Sequence, residues 1–246
     1  MESKKNRLDR FIAVKTGINR RDVRLLIAQK RIMIDGQPAT QINQVVDQFS
    51  HILCDGQLLQ NNRPIYLMMN KPVGVVSATK DDQHKTVIDL LDSHQKDLHI
   101  AGRLDLNSSG LLLLTNHGAW SRRLTAPEHK VNKVYHVTLA KPLTAAYIDA
   151  FAEGMFFAYE GITTLPVTLK ILSEYVAEVT LREGRYHQIK RMFGRFRNPV
   201  LRLHRVSIGA LTLDNRLNAG ESRILTNEEL QHLHNPTEPF AFENTD

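Results

Sequence analysis

The run of four leucines, Leu111–Leu114, constrains this chain more than any other feature. Side chains alternate across a strand, so an unbroken apolar run bounded by Gly110 and Thr115 reads as a strand buried on both faces. Just before it lies an ionisable Asp105, on a turn bracketed by Gly102 and Gly110 and filled by Ser108 and Ser109. Asp, Asn, Ser and Gly are ordinary turn formers, because short polar side chains bond nearby backbone and glycine tolerates positive φ. The local pattern alone favours a plain turn. The rest of the chain has to say whether the acid does more.

At 246 residues, the chain suits one large domain, or a medium domain with a small companion. Hydrophobic content of 42% and charged content of 24% match an ordinary globular protein. No apolar run reaches the ~20 residues a bilayer demands, which argues against a membrane partner. The start, "MESKKNRLDRF", is too polar for a secretory signal, so the cytoplasm is the expected location. A single Cys54 excludes an intramolecular disulfide and a cysteine zinc cluster.

Charge is unevenly placed. Residues 1–63 hold 11 Lys and Arg against 6 acids, whereas the rest of the chain holds 21 against 20. A basic module ahead of a near-neutral body suggests a foothold for a polyanion joined to a working part. Within the module, "NRLDRFIAVKT" (6–16) puts Leu8, Phe11, Ile12 and Lys15 at helical spacing. "NRRDVRLLIAQ" (19–29) has an Asn19 cap, with Val23, Leu26 and Ile27 on one face and Arg20, Arg21 and Arg24 on the other. "RIMIDGQPA" and "HILCDG" read as short strands with Asp-Gly turns. The polar "LLQNNRP" (58–64) reads as a linker, dividing the chain into domains at 1–60 and 61–246.

Beyond the linker, "NKVYHVTLA", "LPVTLKIL", "YVAEVTLRE" and "VLRLHRVSIGALTL" are β-rich without regular βαβ alternation. Helical stretches fall near 86–92, 118–125, 144–153, 186–196 and 226–233. The expected class is α+β, with a mixed, mostly antiparallel sheet. Residues 182–205 carry Arg182, Arg185, Lys190, Arg191, Arg195, Arg197, Arg202 and Arg205 against only Glu183, a basic patch suited to an RNA groove.

Residues 6–57 resemble the small S4-type RNA-binding domain, found in a small-subunit ribosomal protein and in several RNA-modifying enzymes. The resemblance implies that its helices and the following loop face RNA phosphates, with Arg20, Arg21, Arg24, Lys30 and Arg31 as contacts. The body resembles the pseudouridine synthases that act on ribosomal RNA. "NKPVGVVS" (70–77), "HIAGRLDLNSSGLLLLT" (99–115), "NKVYHVTL" (132–139), and "EGRYHQIKRMF" (183–193) with "LHRVSIG" (203–209) follow the order of that family's motifs. "AGRLD", "EGRYHQIKRMF" and the N-terminal module together resemble the branch that modifies small-subunit RNA; a large-subunit target is the alternative. The resemblance implies that Asp105 is catalytic, that Tyr135 stacks on the target base, and that Lys190 is the cation beside the acid. It further implies RNA contacts from Arg103, Arg185, His187, Gln188 and Arg191. Lys71, counted with these contacts, is also expected to brace the active-site loop together with Asn70.

Making pseudouridine breaks the N1–C1′ bond, turns the uracil and joins C5 to C1′. No atom is gained and no electron pair leaves, so the chemistry requires neither a redox cofactor nor a metal. One carboxylate can attack C1′, or take a proton from C2′ to give a glycal. Either role needs Asp105 ionised, which burial opposes and a nearby cation favours. Arg is common where this chain has Lys190, and Arg191 follows about 100° further around a helix, so Arg191 is the competing partner. Two other functions compete: a non-enzymatic RNA-binding protein, and a nucleoside hydrolase, which usually needs a pair of carboxylates. Ribosomal RNA is the expected partner, and the chain is expected to act as a monomer.

Overall fold

The computed structural model describes residues 5–95, 97–126, 128 and 131–233. They form two compact units. One ends at Ile65 and also takes in His117–Ala119; the other holds Tyr66–Asn116 and the chain from Trp120 onward.

The first unit contains β1 (Asn6–Arg7), α1 (Leu8–Thr16), α2 (Arg20–Ala28), β2 (Ile32–Ile34), β3 (Gln37–Pro38), β4 (Val45–Val46), β5 (Ile52–Cys54) and β6 (Gln57–Gln60). The first helix starts later than its periodicity suggests, because Asn6 and Arg7 pair with Val46 and Val45. Gly17 ends it in the left-handed region (φ 76°), and Asn19 caps α2 by accepting from the Arg21 and Asp22 amides. Four strands order as β3-β2-β5-β6. Two of its turns, at Asp35-Gly36 and Asp55-Gly56, have positive φ at both residues, as tight hairpins require. Leu8, Ile12, Val23, Leu26, Ile27, Ile32 and Ile52 form the core.

From Tyr66 the chain runs β7 (Tyr66–Lys71), β8 (His99–Ala101), β9 (Ser108–Thr115), α3 (Gly118–Thr125), β10 (Lys133–Leu139) and α4 (Ala146–Glu153). It continues through β11 (Phe156–Phe157), β12 (Ile162–Thr163), β13 (Thr168–Ser173), β14 (Val176–Leu181) and α5 (Gln188–Gly194). The last elements are β15 (Val200–Ile208), β16 (Leu211–Thr212), β17 (Ser222–Ile224) and α6 (Asn227–His232). Residues 86–92 depart from the helical reading. Only Ile88–Leu90 makes a 3₁₀ turn, where the Asp89 carboxylate takes the Thr86 amide and hydroxyl at 2.8 and 2.9 Å.

A nine-stranded sheet follows the path β13-β14-β10-β15-β9-β7-β17, with β16 on β15 and β8 on β9. Its pairs are antiparallel except β15 with β9, which is parallel. The sheet is thus mixed and mostly antiparallel. Leu111, Leu112, Leu113 and Leu114 are all fully buried. Leu111 and Leu113 join Met68, Trp120, Leu124, Ile208 and Leu230 in one core layer, and the alternate leucines point the other way.

The pairing of β9 explains its glycine. One edge is covered at its end by β8, through Leu113–Thr115, and at its start by β15, through Ser108–Gly110. Gly110 has φ 104°, and a Cβ there would fall 2.2 Å from the Arg205 carbonyl oxygen. Only glycine lets the two backbones meet.

Candidate active site

The β8–β9 hairpin opens into the loop 102–107, and four side chains or amides hold that loop. The Arg205 guanidinium, 1% exposed, donates from Nε to the Leu111 carbonyl at 2.7 Å and from Nη2 to the Gly102 carbonyl at 3.0 Å. Arg205 therefore braces the loop from inside and has no surface for RNA, unlike the other cations of its sequence patch. Lys71 is fully buried as well. Its ammonium donates to the carbonyls of Pro72, Asp105 and Ser108 at 2.9, 3.1 and 2.8 Å. Burial pulls its pKa down to about 8, with Arg205 and Lys190 adding to the effect and Asp105 opposing it. Counting Lys71 among RNA contacts is corrected by this placement: all its donors point at backbone. Ser77 Oγ donates to the Leu104 carbonyl at 2.8 Å, and the Gly74 amide donates to Leu106 at 2.9 Å. Asn70 lies apart from the loop, donating to the Leu217 carbonyl at 2.9 Å.

Asp105 emerges from this scaffold one-third exposed. Its Oδ2 takes Lys190 Nζ at 3.2 Å, and His187 Nε2 lies 3.4 Å from the same oxygen. No hydrogen bond to Oδ1 is found among the described residues. Lys190 sits on the first turn of α5, and His187 is the left-handed residue (φ 50°) that starts it. Such a conformation is uncommon for a residue with a side chain. Arg191 points elsewhere: both its terminal nitrogens reach Glu160 at 2.6 Å, and its guanidinium lies 3.7 Å from the Phe157 ring centre. The structure therefore brings Lys190, and not Arg191, to Asp105.

Asp105 and His187 border a cavity of about 520 Å³, within the ~300–1,000 Å³ range of small-molecule sites. Its lining includes Asp105, Arg103, Tyr135, Leu181, Leu203 and His187. Tyr135 is 8% exposed, on β10 opposite Val179 and Arg205. A second acid, Asp81, also lines the cavity. Its Oδ1 caps its own turn, accepting from the Gln83 and His84 amides at 2.9 and 2.8 Å, and these bonds lower its pKa. The described residues contain no cluster of three His, Cys, Asp or Glu able to hold a metal ion.

Against known families, residues 65–194 match the model described as RNA pseudouridylate synthase. The chain belongs to the RNA pseudouridylate synthase family. The ribosomal small subunit pseudouridine synthase A of Pseudomonas aeruginosa is 49% identical over 226 residues, covering 91% of this chain and 98% of the relative. The proteins of the same name from Vibrio cholerae and Escherichia coli K12 are each 40% identical, over 92% and 91% of this chain and 99% and 98% of their own. A solved structure titled as a pseudouridylate synthase superposes with a TM-score of 0.68 at 40% identity, covering 93% of this chain and 99% of its own.

The synthase family's motifs also hold residues that serve the loop before the substrate. Gln188 lines the cavity, and its amide also donates to Glu183 at 2.6 Å and accepts from the Arg185 amide at 3.2 Å. Being 3% exposed, it is a strut of the 183–188 turn. Arg185 pairs with Glu183 at 2.8 Å and Arg103 is exposed; both line the cavity. Sequence reasoning missed Glu183 and Glu160 as anchors. The lone acid Glu183 amid eight cations was the available signal for the first; nothing local marked the second.

In the first unit, Arg20 is paired to Asp9. Its Nε and Nη2 donate to Asp9 Oδ2 at 3.0 and 2.5 Å, and Arg7 joins them at 3.2 Å. Burial raises the Asp9 pKa, and these hydrogen bonds more than reverse it, leaving it low. Arg31 forks onto Asp55. Arg21, Arg24 and Lys30 are exposed and make no ion pair among the described residues.

Proposed function

We propose that this protein isomerises a uridine of small-subunit ribosomal RNA to pseudouridine, with Asp105 as the carboxylate that acts on the ribose. The observation that carries the reading is the Asp105 carboxylate at the cavity, charge-paired to Lys190, on a loop whose backbone is held from below by Lys71 and Arg205. The names of the relatives support the RNA class, and the basic face of the first unit supports a nucleic-acid partner.

In the reaction, Asp105 attacks C1′ or takes a proton from C2′ as the N1–C1′ bond breaks. The freed uracil keeps the bonding electrons and turns within the cavity; its C5 then bonds to C1′, displacing the Asp105 carboxylate or, on the glycal path, as Asp105 returns its proton to C2′. The C5 proton is lost and N1 is reprotonated, so nothing is gained or consumed. Lys190 holds the carboxylate by charge and hydrogen bond. Tyr135 presents a flat ring to a base that has left its stack. Leu181 and Leu203 supply an apolar wall against which the uracil can turn without being held.

The first unit is read as an S4-type RNA-binding domain in which Arg21, Arg24 and Lys30 meet phosphates, as a monomer, in the cytoplasm. No described helix is long and apolar enough to cross a membrane. The deciding experiment is carbodiimide-mapped reverse transcription of small-subunit RNA from cells with and without the gene. One stop present only with the gene is expected; an unchanged small-subunit pattern overturns the target, and a new stop in large-subunit RNA reassigns it.

A further inference from the structure

Three large aromatic side chains near the cavity are exposed where a folded chain gains nothing from exposing them: Tyr159 at 97%, Tyr186 at 73% and Phe156 at 53%. Tyr186 lines the cavity itself and lies face to face with His187, the ring centres 3.9 Å apart and the planes inclined by 21°. One face of the Tyr186 ring is thus used by a residue that reaches Asp105. Tyr159 and Phe156 belong to the β11–β12 hairpin.

That hairpin is not a loose flap. Arg191 grips its Glu160 with two 2.6 Å hydrogen bonds, lies over Phe157, and extends Nη1 to the Tyr186 carbonyl at 3.4 Å. Arg195 donates to the Phe156 carbonyl. A single guanidinium therefore ties the hairpin tip to the segment at the cavity mouth. The rings stand on backbone already fixed, so ordering them on binding costs little.

The surrounding charge selects the occupant. Exposed Arg195 and Arg197 lie just beyond α5, and the nearby acids Glu160 and Glu183 are already paired to Arg191 and Arg185. Flat rings interleaved with cations form the surface that single-stranded nucleic acid takes, because bases stack on the rings while phosphates meet the cations.

We propose that Tyr186 and Tyr159 are stacking platforms for unpaired nucleotides flanking the target uridine, Tyr186 at the cavity mouth and Tyr159 at the hairpin tip. The proposal rests on the isomerase reading and adds two positioning residues to it. Stacking of a neighbour on Tyr186 holds the strand open, so that the target base stays out of its own stack and in the cavity.

The test uses the full-length protein and two readouts. In tritium release from C5-labelled uridine in small-subunit RNA, Tyr186→Ala and Tyr159→Ala should each raise KM roughly 5- to 100-fold with kcat retained, the range expected for losing one base–ring stack. Tyr186→Phe and Tyr159→Phe should restore KM. A single-stranded oligoribonucleotide with 2-aminopurine beside a uridine should be quenched by the wild-type protein and not by Tyr186→Ala. A fall in kcat at unchanged KM would show that Tyr186 merely holds His187, and unaltered kinetics would show an idle surface ring; either overturns the proposal. Absence of tritium release by the wild-type protein, with the quench intact, would instead sink the isomerase reading alone.

Discussion

The Lys71 ammonium lies 3.1 Å from the backbone oxygen of Asp105, so the turn that carries Asp105 rests on a buried cation that never meets solvent. Lys71→Met would leave three carbonyls without that donor, at about 1–3 kcal/mol for each that stays buried and unpaired. A lower melting temperature and a lower kcat are expected, with RNA affinity unchanged. A melting curve and a binding titration beside the rate assay check this.

The same lysine gives a pH signature. Its folded pKa, about 8, lies below the ordinary 10.5 of a free lysine. Between those values the unfolded chain binds more protons, so this group's contribution to stability rises with pH. Activity should move the opposite way. A neutral amine has one donor fewer, so one of the three carbonyls loses its bond as pH climbs through about 8. The check is kcat and melting temperature measured on the same samples from pH 7 to pH 10: activity declining where this stability component grows.

Gly110 carries the most local of the structural constraints. Gly110→Ala places a methyl 2.2 Å from the Arg205 carbonyl oxygen and 2.7 Å from its amide nitrogen, at φ 104°. Neither neighbour is a side chain that can swing away. The parallel β9–β15 pairing must separate, which also pulls Arg205 from the loop beneath Asp105. Gly194→Ala meets nothing within 4 Å and is the control. Thermal unfolding should show a large loss for the first and none for the second.

How much of this is legible in sequence follows from the range of the interactions. Leu111–Leu114 declares a fully buried strand, the Asp-Gly pairs declare hairpins, and Asn19 declares the start of α2, because each acts within a few residues. The motif at 99–115 marks Asp105 through resemblance. What stays hidden is pairing between distant segments. No periodicity tells that β15 runs parallel to β9, or that Arg205 turns inward while Arg202 stays exposed. Lys71 and Gln188 carry polar side chains in segments that resemble a binding site, and only the packed structure shows that Lys71 bonds three backbone carbonyls and Gln188 bonds Glu183 and the Arg185 amide. Glu160 lies 31 positions from Arg191, so the pair that fixes the hairpin has no local trace.

Lys190 and Arg191 separate cleanly by geometry. Lys190→Met removes the charge at Asp105 and should abolish most turnover while sparing RNA binding; Lys190→Arg should keep part of it, since a fork can replace a point charge imperfectly. Arg191→Met breaks the pair with Glu160, which does not touch Asp105, and should leave kcat near normal. Single-turnover rates with saturating enzyme distinguish the two. A dead Arg191→Met with an active Lys190→Met would reverse the assignment.

In the first unit, Arg21, Arg24 and Lys30 are among the exposed cations that no described acid takes. Replacing all three by glutamine should weaken RNA binding and reduce the slope of log affinity against log salt by about 2–3, one counterion release per lost phosphate contact. Arg20→Gln should act differently. It uncovers the buried Asp9 carboxylate and should lower the melting temperature. An unaltered salt slope in the triple variant would remove these three side chains from the RNA interface.

The last test isolates chemistry from architecture at Asp105. The scaffold grips this residue through its backbone: Lys71 takes its carbonyl oxygen, and the same oxygen accepts the Ser108 amide at 3.0 Å. Asp105→Asn leaves both contacts and the turn in place, since Asn suits turns as well as Asp does. It removes only the negative charge that faces Lys190 and His187. A residue kept for its turn would tolerate the change, and tritium release would stay near the wild-type rate. A carboxylate that attacks C1′ or takes the C2′ proton cannot be replaced by an amide, so release should fall below detection while the melting curve and RNA affinity hold. Restored release by Asp105→Asn would return the protein to the class of RNA binders.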